Sequence, residues 1–295
     1  MTRVTQISTA AVLEGEISEI RLLMERHAGV LLEHSAEALS GEIVRYLEAR
    51  QMDSVAELTA GLRISPRECD LLLERLLAGD TTFFRSRAAF DALEQRILPE
   101  MKQRKAGDVP HQLRMWSAGC STGEEAYSIA LSVCESLNGD SGSWNIHIVG
   151  SDIRADALVV AERGLYPEKQ LANVPKDWVS QYFSRVGDHF LVKPRLRNLV
   201  RFAPMNLIQP SFIGRFDCIF CMDVLPHIVR GQRAPVLQRL HMYLEPGGYL
   251  FLGEKEKLPA TETCFVTQSC PGWTCYQRPM AKAAKAAKAA KAGRP

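Results

Sequence analysis

Long apolar runs are missing from this chain. None reaches the roughly twenty residues that a membrane-spanning helix requires, and the opening MTRVTQISTAAVLEGEISEI contains no apolar signal core. A cytoplasmic protein with no membrane insertion is the expectation. An excess of one charge is missing too. The net charge is only +2, and Lys282, Lys285, Lys288, Lys291 and Arg294 crowd into the terminal AKAAKAAKAAKAGRP, so the rest of the chain is slightly acidic. A body without a basic excess argues against specific nucleic-acid binding. Lysine at every third position does not keep to one helical face, so residues 281–295 read as a basic low-complexity tail with weak polyanion contacts, not as a membrane anchor. Histidine in zinc spacing is also absent. The eight cysteines do not form a secreted disulfide framework. Cys218 and Cys221 lie within the strand-like FDCIFCM, whose geometry sends residues three apart to opposite faces. Cys264, Cys270 and Cys275 have no histidine partner at ligand spacing. Buried thiols and no metal are expected.

What is present is a nucleoside-type bend. Leu113 to Ser117 is strand-like, the small residues Ala118, Gly119, Cys120, Ser121 and Gly123 follow, and Glu124-Glu125 open a helix. The next apolar run, Ile146 to Val149, ends in Gly150-Ser151-Asp152. Small residues let a ligand approach the backbone, and an acid at the tip of the next strand accepts from ribose hydroxyls. The bend lacks G-x-G-x-x-G, and no Lys-Ser/Thr pair follows it, which excludes dinucleotide and P-loop sites by motif. Two glutamates at the helix start repel a pyrophosphate but suit the sulfonium and ammonium of S-adenosylmethionine. First-turn acids also serve as simple helix caps, and both readings stand at this level.

Along the chain the first hundred residues carry helical periodicity. Ile17 to Leu32 is one such stretch, and Ile43 to Leu47 begins another. Ser65-Pro66-Arg67-Glu68 predicts a capping box ahead of the face Leu71, Leu72, Leu76 and Leu77. A further helix runs through Phe90, Leu93 and Ile97. The reading assigns 1–98 to an all-α N-terminal domain, 99–111 to a linker and 112–280 to an α/β domain. In the α/β domain strands at Leu113–Ser117, Ile146–Ser151, Leu199–Ala203, Phe216–Met222 and Gly248–Gly253 alternate with helices at Glu124–Leu137, Ala155–Arg163 and Gln232–Leu244. This alternation predicts a mainly parallel sheet whose ligand lies at the strand carboxyl ends. Cys264–Thr267 and Trp273–Gln277 predict a closing hairpin, and 184–200 a small β subdomain with basic residues Arg185, Lys193, Arg195 and Arg197.

Thr81-Thr82-Phe83-Phe84-Arg85, the run Trp116 to Ser128, Gly150-Ser151-Asp152-Ile153 and Arg201 to Leu207 follow one another in an order that resembles the CheR family of chemotaxis protein-glutamate O-methyltransferases. The resemblance spans about Ile17 to Gln277. It implies a Rossmann-like class I methyltransferase sheet with an all-α N-terminal domain and a small β subdomain, and S-adenosylmethionine as cofactor. It further implies that Thr81 and Arg85 reach the cofactor and reaction centre from the N-terminal domain. Ala118 and Gly119, one of Glu124 and Glu125, Asp152, Asn206 and Leu207 would hold the cofactor, together with Met222 and Asp223 after the fourth strand. The chain departs from the family on the acceptor side. Gly79 replaces an asparagine. Met222, Asp223 and His227 replace arginine, asparagine and tyrosine, and Gly253-Glu254-Lys255-Glu256 stands for G-H-S-E.

Methyl transfer from a sulfonium to a carboxylate joins opposite charges and needs no base. Arg85 is the residue expected to orient the acceptor, and His227 is either a positioning substitute for the tyrosine or a base for a hydroxyl or amine acceptor. Three functions remain open: esterification of glutamates on a chemoreceptor or other signalling protein, methylation of a different protein or small molecule, and a non-catalytic S-adenosylmethionine-binding signalling module.

Overall fold

The computed structural model describes residues 12–107, 110–137, 143–211, 213–259, 262–270 and 272–280, and the basic tail 281–295 lies outside them. They divide into two compact units. Unit 1 reaches to Gly79 and includes Pro226–Arg233; unit 2 comprises Asp80–Leu225 and the chain from Ala234 onward.

Unit 1 is built on α1 (Glu14–Ala28), α2 (Ala36–Arg50), α3 (Val55–Ile64) and α4 (Pro66–Leu76). Their apolar stripes meet through Ile20 and Met24, Leu39 and Ile43, Leu58, and Leu72, all buried. Helix α4 starts as its sequence dictates, with Ser65 Oγ accepting from Glu68 N at 3.2 Å and Pro66 in the first turn. The capping box is only half made. Glu68 sends its carboxylate to Tyr46 Oη (2.7 Å) and Arg50 (3.1 Å), because the N–H of Ser65 is already spent on Gly61 O at the end of α3. Gly29, at φ 65°, ends α1, and the next residues pair with the 226–233 segment. Leu31 N donates to His227 O (2.7 Å), and Val229 N to Gly29 O (3.0 Å).

Unit 2 begins earlier than the sequence boundary at 98, with α5 (Arg87–Ala92) and α6 (Leu98–Arg104) inside it. Phe83, Phe84, Phe90, Leu93, Ile97, Leu98 and Met101 are buried in the same core as the sheet, which periodicity alone does not reveal. Pro99, read as the start of a linker, lies in the first turn of α6. A π turn at Leu93–Ile97 precedes it, in which Leu98 N reaches back to Leu93 O.

The sheet contains β1 (His111–Ala118), β2 (Trp144–Asp152), β6 (Val200–Pro204), β7 (Phe216–Cys221), β8 (Leu244–Leu252), β9 (Val266–Cys270) and β10 (Trp273–Gln277). Their order is β6-β2-β1-β7-β8-β10-β9. The first five are parallel, and the hairpin β9–β10 closes the edge antiparallel to β8. Helices α7 (Glu124–Ser136), α8 (Ala155–Arg163) and α11 (Arg230–Tyr243) connect parallel strands, as the alternation requires. Strand β7 is buried at every position, as a central parallel strand should be.

A separate antiparallel sheet, ordered β3-β5-β4, holds β3 (Leu165–Pro167), β4 (Phe183–Val186) and β5 (His189–Val192). The expected β subdomain at 184–200 is therefore corrected. Its strands stop at Val192, Pro194–Arg197 is the short helix α10, and the third strand comes from 165–167. Proline at 194 removes a ladder donor and suits a first helical turn. Helix α9 (Lys176–Tyr182) lies between β3 and β4 in the chain.

Candidate active site

Strand register alone brings the motif residues together. Ala118 lies opposite Ser151, and Ser151 opposite Ala203, so the exits of β1, β2 and β6 form one edge. The bend then folds over β2, with Gly119 N and Cys120 N both donating to Ser151 O at 2.7 and 2.9 Å. Gly119 sits at φ 87°, and a Cβ there would run into Val224 Cγ2. Gly123 caps α7 at φ 96°, where a Cβ would come within 2.7 Å of Ala161 Cβ. At both positions glycine is required by backbone conformation and by close approach.

Asp152 is engaged on both oxygens. Oδ2 accepts from Ser121 N (2.8 Å) and Oδ1 from Arg154 N (2.9 Å), while Arg154 Nη2 donates to Ser121 Oγ (2.7 Å). A carboxylate offers about four acceptor positions, so capacity remains for ribose hydroxyls. On the next strand exit, Met205 N donates to Asp152 O (2.8 Å). Asn206 Oδ1 accepts from Ile208 N (3.1 Å), and Arg239 Nη2 holds Leu207 O (2.8 Å).

The two glutamates part company. Glu124 is fully buried; Thr122 Oγ1 donates to its Oε2 (2.7 Å), and its Oε1 has no hydrogen-bond partner. Glu125 keeps part of its surface open and accepts from Ser117 Oγ at 2.7 Å. Burial pushes its carboxyl up to about 7; the Ser117 hydrogen bond opposes the rise, the charges of Asp223 and Glu256 add to it, and Arg85 counters it. Burial also raises Glu124 and Glu256. Glu125 is thus the glutamate of the pair on which the charges of Asp223, Glu256 and Arg85 all act.

Arg85 is exposed, while the two phenylalanines before it are core. Phe83 packs edge-on against Tyr166 (5.1 Å) and Phe183 (5.4 Å), and Phe84 N donates to Ser128 Oγ (3.0 Å), one turn along α7 from Glu124. Thr81, half-buried, precedes this anchor. Thr81 and Arg85 therefore belong to unit 2, not to the helical unit from which the resemblance had them reach. After β7, Met222 packs on the core and Asp223 is exposed at φ 59°. His227 is exposed and belongs to unit 1, bound there through its carbonyl.

Sequence reasoning missed Ser117, Arg154, Tyr166 and the clamp made by Glu256. Tyr166 Oη donates to Thr122 O (2.7 Å) and so steadies the bend. Arg154, two residues after Asp152, carried a local signal. Ser117 and Glu256 lay within quoted motifs, but nothing in those motifs named their partners, and Tyr166 lay in none.

Glu125 within reach of the Asp223 and Glu256 charges and of Arg85, a glycine with no room for a side chain and an orphaned oxygen on buried Glu124 fit a cationic ligand with no phosphate. The sheet order and this edge define an α/β methyltransferase domain that binds S-adenosylmethionine. Residues 79–272 match the family model "CheR methyltransferase, SAM binding domain". The chain belongs to that family. It is 32% identical over 250 residues to chemotaxis protein methyltransferase 2 of Pseudomonas aeruginosa, covering 82% of this chain and 86% of that protein. It is 30% identical over 275 residues to the chemotaxis protein methyltransferase of Escherichia coli, covering 90% and 91%. With chemotaxis protein methyltransferase Cher2 of Pseudomonas putida it shares 29% identity over 270 residues, covering 89% and 97%. No helix among the described residues is long and apolar enough to cross a membrane.

Proposed function

We propose that this chain transfers a methyl group from S-adenosylmethionine to a glutamate carboxylate of a chemoreceptor-type protein in the cytoplasm, forming a methyl ester. The observation that carries the reading is Glu125 held by Ser117 beside the bend, within reach of the charges of Asp223, Glu256 and Arg85, so that a carboxylate suited to a cation and a guanidinium suited to an anion act on one place. The names of the relatives support the choice of acceptor. Bound S-adenosylmethionine supplies an electrophilic methyl on a cationic sulfur. In this reading Ala118 and Gly119 let the donor lie against the backbone, Asp152 accepts from its ribose, and Asn206 and Leu207 border its adenosyl part. Glu125 holds the positive methionyl end, and Thr81, Met222 and Asp223 complete the walls. Arg85 orients the acceptor carboxylate in line. A carboxylate is already ionised at neutral pH, so His227 has no proton to remove. The tail is proposed to add only weak polyanion contacts.

One observation favours a second acceptor class. Asp223 places a carboxylate where its charge raises Glu125, and a second carboxylate repels an anionic acceptor. A neutral or basic acceptor, on a protein or a small molecule, suits that charge better. Incubation with tritiated donor and receptor fragments separates the readings. Base-labile label supports the ester, base-stable label supports the second acceptor class, and donor binding without any transfer points to a non-catalytic module.

A further inference from the structure

We propose that Glu256 is a positioning residue of the reaction centre, fixing the turn after β7 by taking main-chain N–H groups from two strand exits on one carboxylate. The inference rests on the reading that the donor's cationic end lies at Glu125. Glu256 Oε2 accepts from Asp223 N (2.8 Å) and from Gly253 N, and Oε1 accepts from Leu225 N (2.9 Å). Strands β7 and β8 run parallel with Cys221 opposite Leu252, so their exits emerge side by side. Beyond that pair the ladder supplies no further partner, and the carboxylate takes its place.

Two further observations agree. Asp223 holds a left-handed conformation at φ 59°, which non-glycine residues adopt less readily than the right-handed one. The clamp grips that turn at Asp223 and again two residues on. A Cβ at Gly253 would come within 2.9 Å of the backbone nitrogen of Asp223 and 2.7 Å of Glu256 Oε2, so a side chain there would displace the clamp. Strand exit, clamp and turn are therefore fitted to one another. The consequence reaches Glu125, which accepts from Ser117 of β1 and feels the charges of Asp223 in the clamped turn, of Glu256 itself and of Arg85 before α5.

The test uses the full chain and the variants Glu256→Gln and Glu256→Asp, with donor affinity measured by calorimetry from pH 5.5 to 8.5. An amide keeps one oxygen for Asp223 N and Gly253 N but turns an NH2 donor toward Leu225 N, so the second grip on the turn is lost. Glu256→Gln is expected to bind donor about tenfold more weakly, with the midpoint of its pH dependence moved down because one negative neighbour of Glu125 is gone. Glu256→Asp keeps the charge but is one methylene short. It should lose affinity several-fold with the midpoint unmoved, and it carries the test alone if circular dichroism finds Glu256→Gln unfolded. Wild-type affinity and midpoint in a folded variant would overturn the proposal, as would a lowered melting temperature with both readouts unchanged. If the unsubstituted protein binds no donor, the site reading falls first and this inference with it.

Discussion

At the residue scale the site is a problem in charge. Glu125 is raised to about 7 chiefly by burial, and a cation favours its ionised form. The sign follows. The raised carboxyl favours the folded chain below its ordinary value of 4.5, and this benefit is lost as pH rises through about 7. Donor binding runs the other way. Affinity for S-adenosylmethionine should rise with pH and level off above about 7, and Glu125→Gln should flatten the profile; a wild-type affinity independent of pH would remove Glu125 from the binding site. Arg85→Ala is expected to lower kcat by about a hundredfold, in line with loss of one charged donor, while changing donor Kd only a few-fold. Stopped-quench assays beside titration calorimetry check this, and equal losses in both would contradict an acceptor-side role. The bend, Glu125 and Asp152 were legible in the sequence because each belongs to a short contiguous motif. Glu256 and Ser117 stood in quoted motifs too, but what they hold did not show, since their partners lie 33 and 8 residues away. Which glutamate of the pair turns inward was hidden as well, because adjacent helical residues differ only by rotation about the axis.

At the scale of elements, the alternation of apolar strands and amphipathic helices foretold five parallel strands and the closing hairpin. It failed at β3, three residues long and below the length at which a period can be read, and it passed over helix α3, although that helix is ten residues long and apolar. The linker expected at 99–111 failed for another reason. Pro99 sits where a helix tolerates proline, and the π turn absorbs the irregularity. The junction of α3 and α4 offers a direct check. Ser65 caps α4 through Glu68 N, so Ser65→Ala should destabilise unit 1 by about 1 kcal/mol in denaturant titration. No change would mean that water replaces the cap.

On the scale of the whole molecule, one core unites the sheet with helices that precede it in sequence, so a helical stretch in a sequence does not announce the body it joins. The basic tail adds four lysines and an arginine to the sequence. Removing residues 281–295 should leave kcat and donor affinity within twofold of the full chain, and a larger loss would assign the tail a part in catalysis. The central claim is that the cationic methyl donor rests where the bend at Gly119 meets the exits of β2 and β7. Titration calorimetry of S-adenosylmethionine and its demethylated product into the full chain, beside Gly119→Ala, tests it most directly. The account predicts saturable binding of both ligands to the wild type and at least tenfold weaker binding to the variant, whose added methyl collides with Val224. Absence of binding of either ligand to the wild type at millimolar concentration, or equal binding by the two proteins, would contradict it.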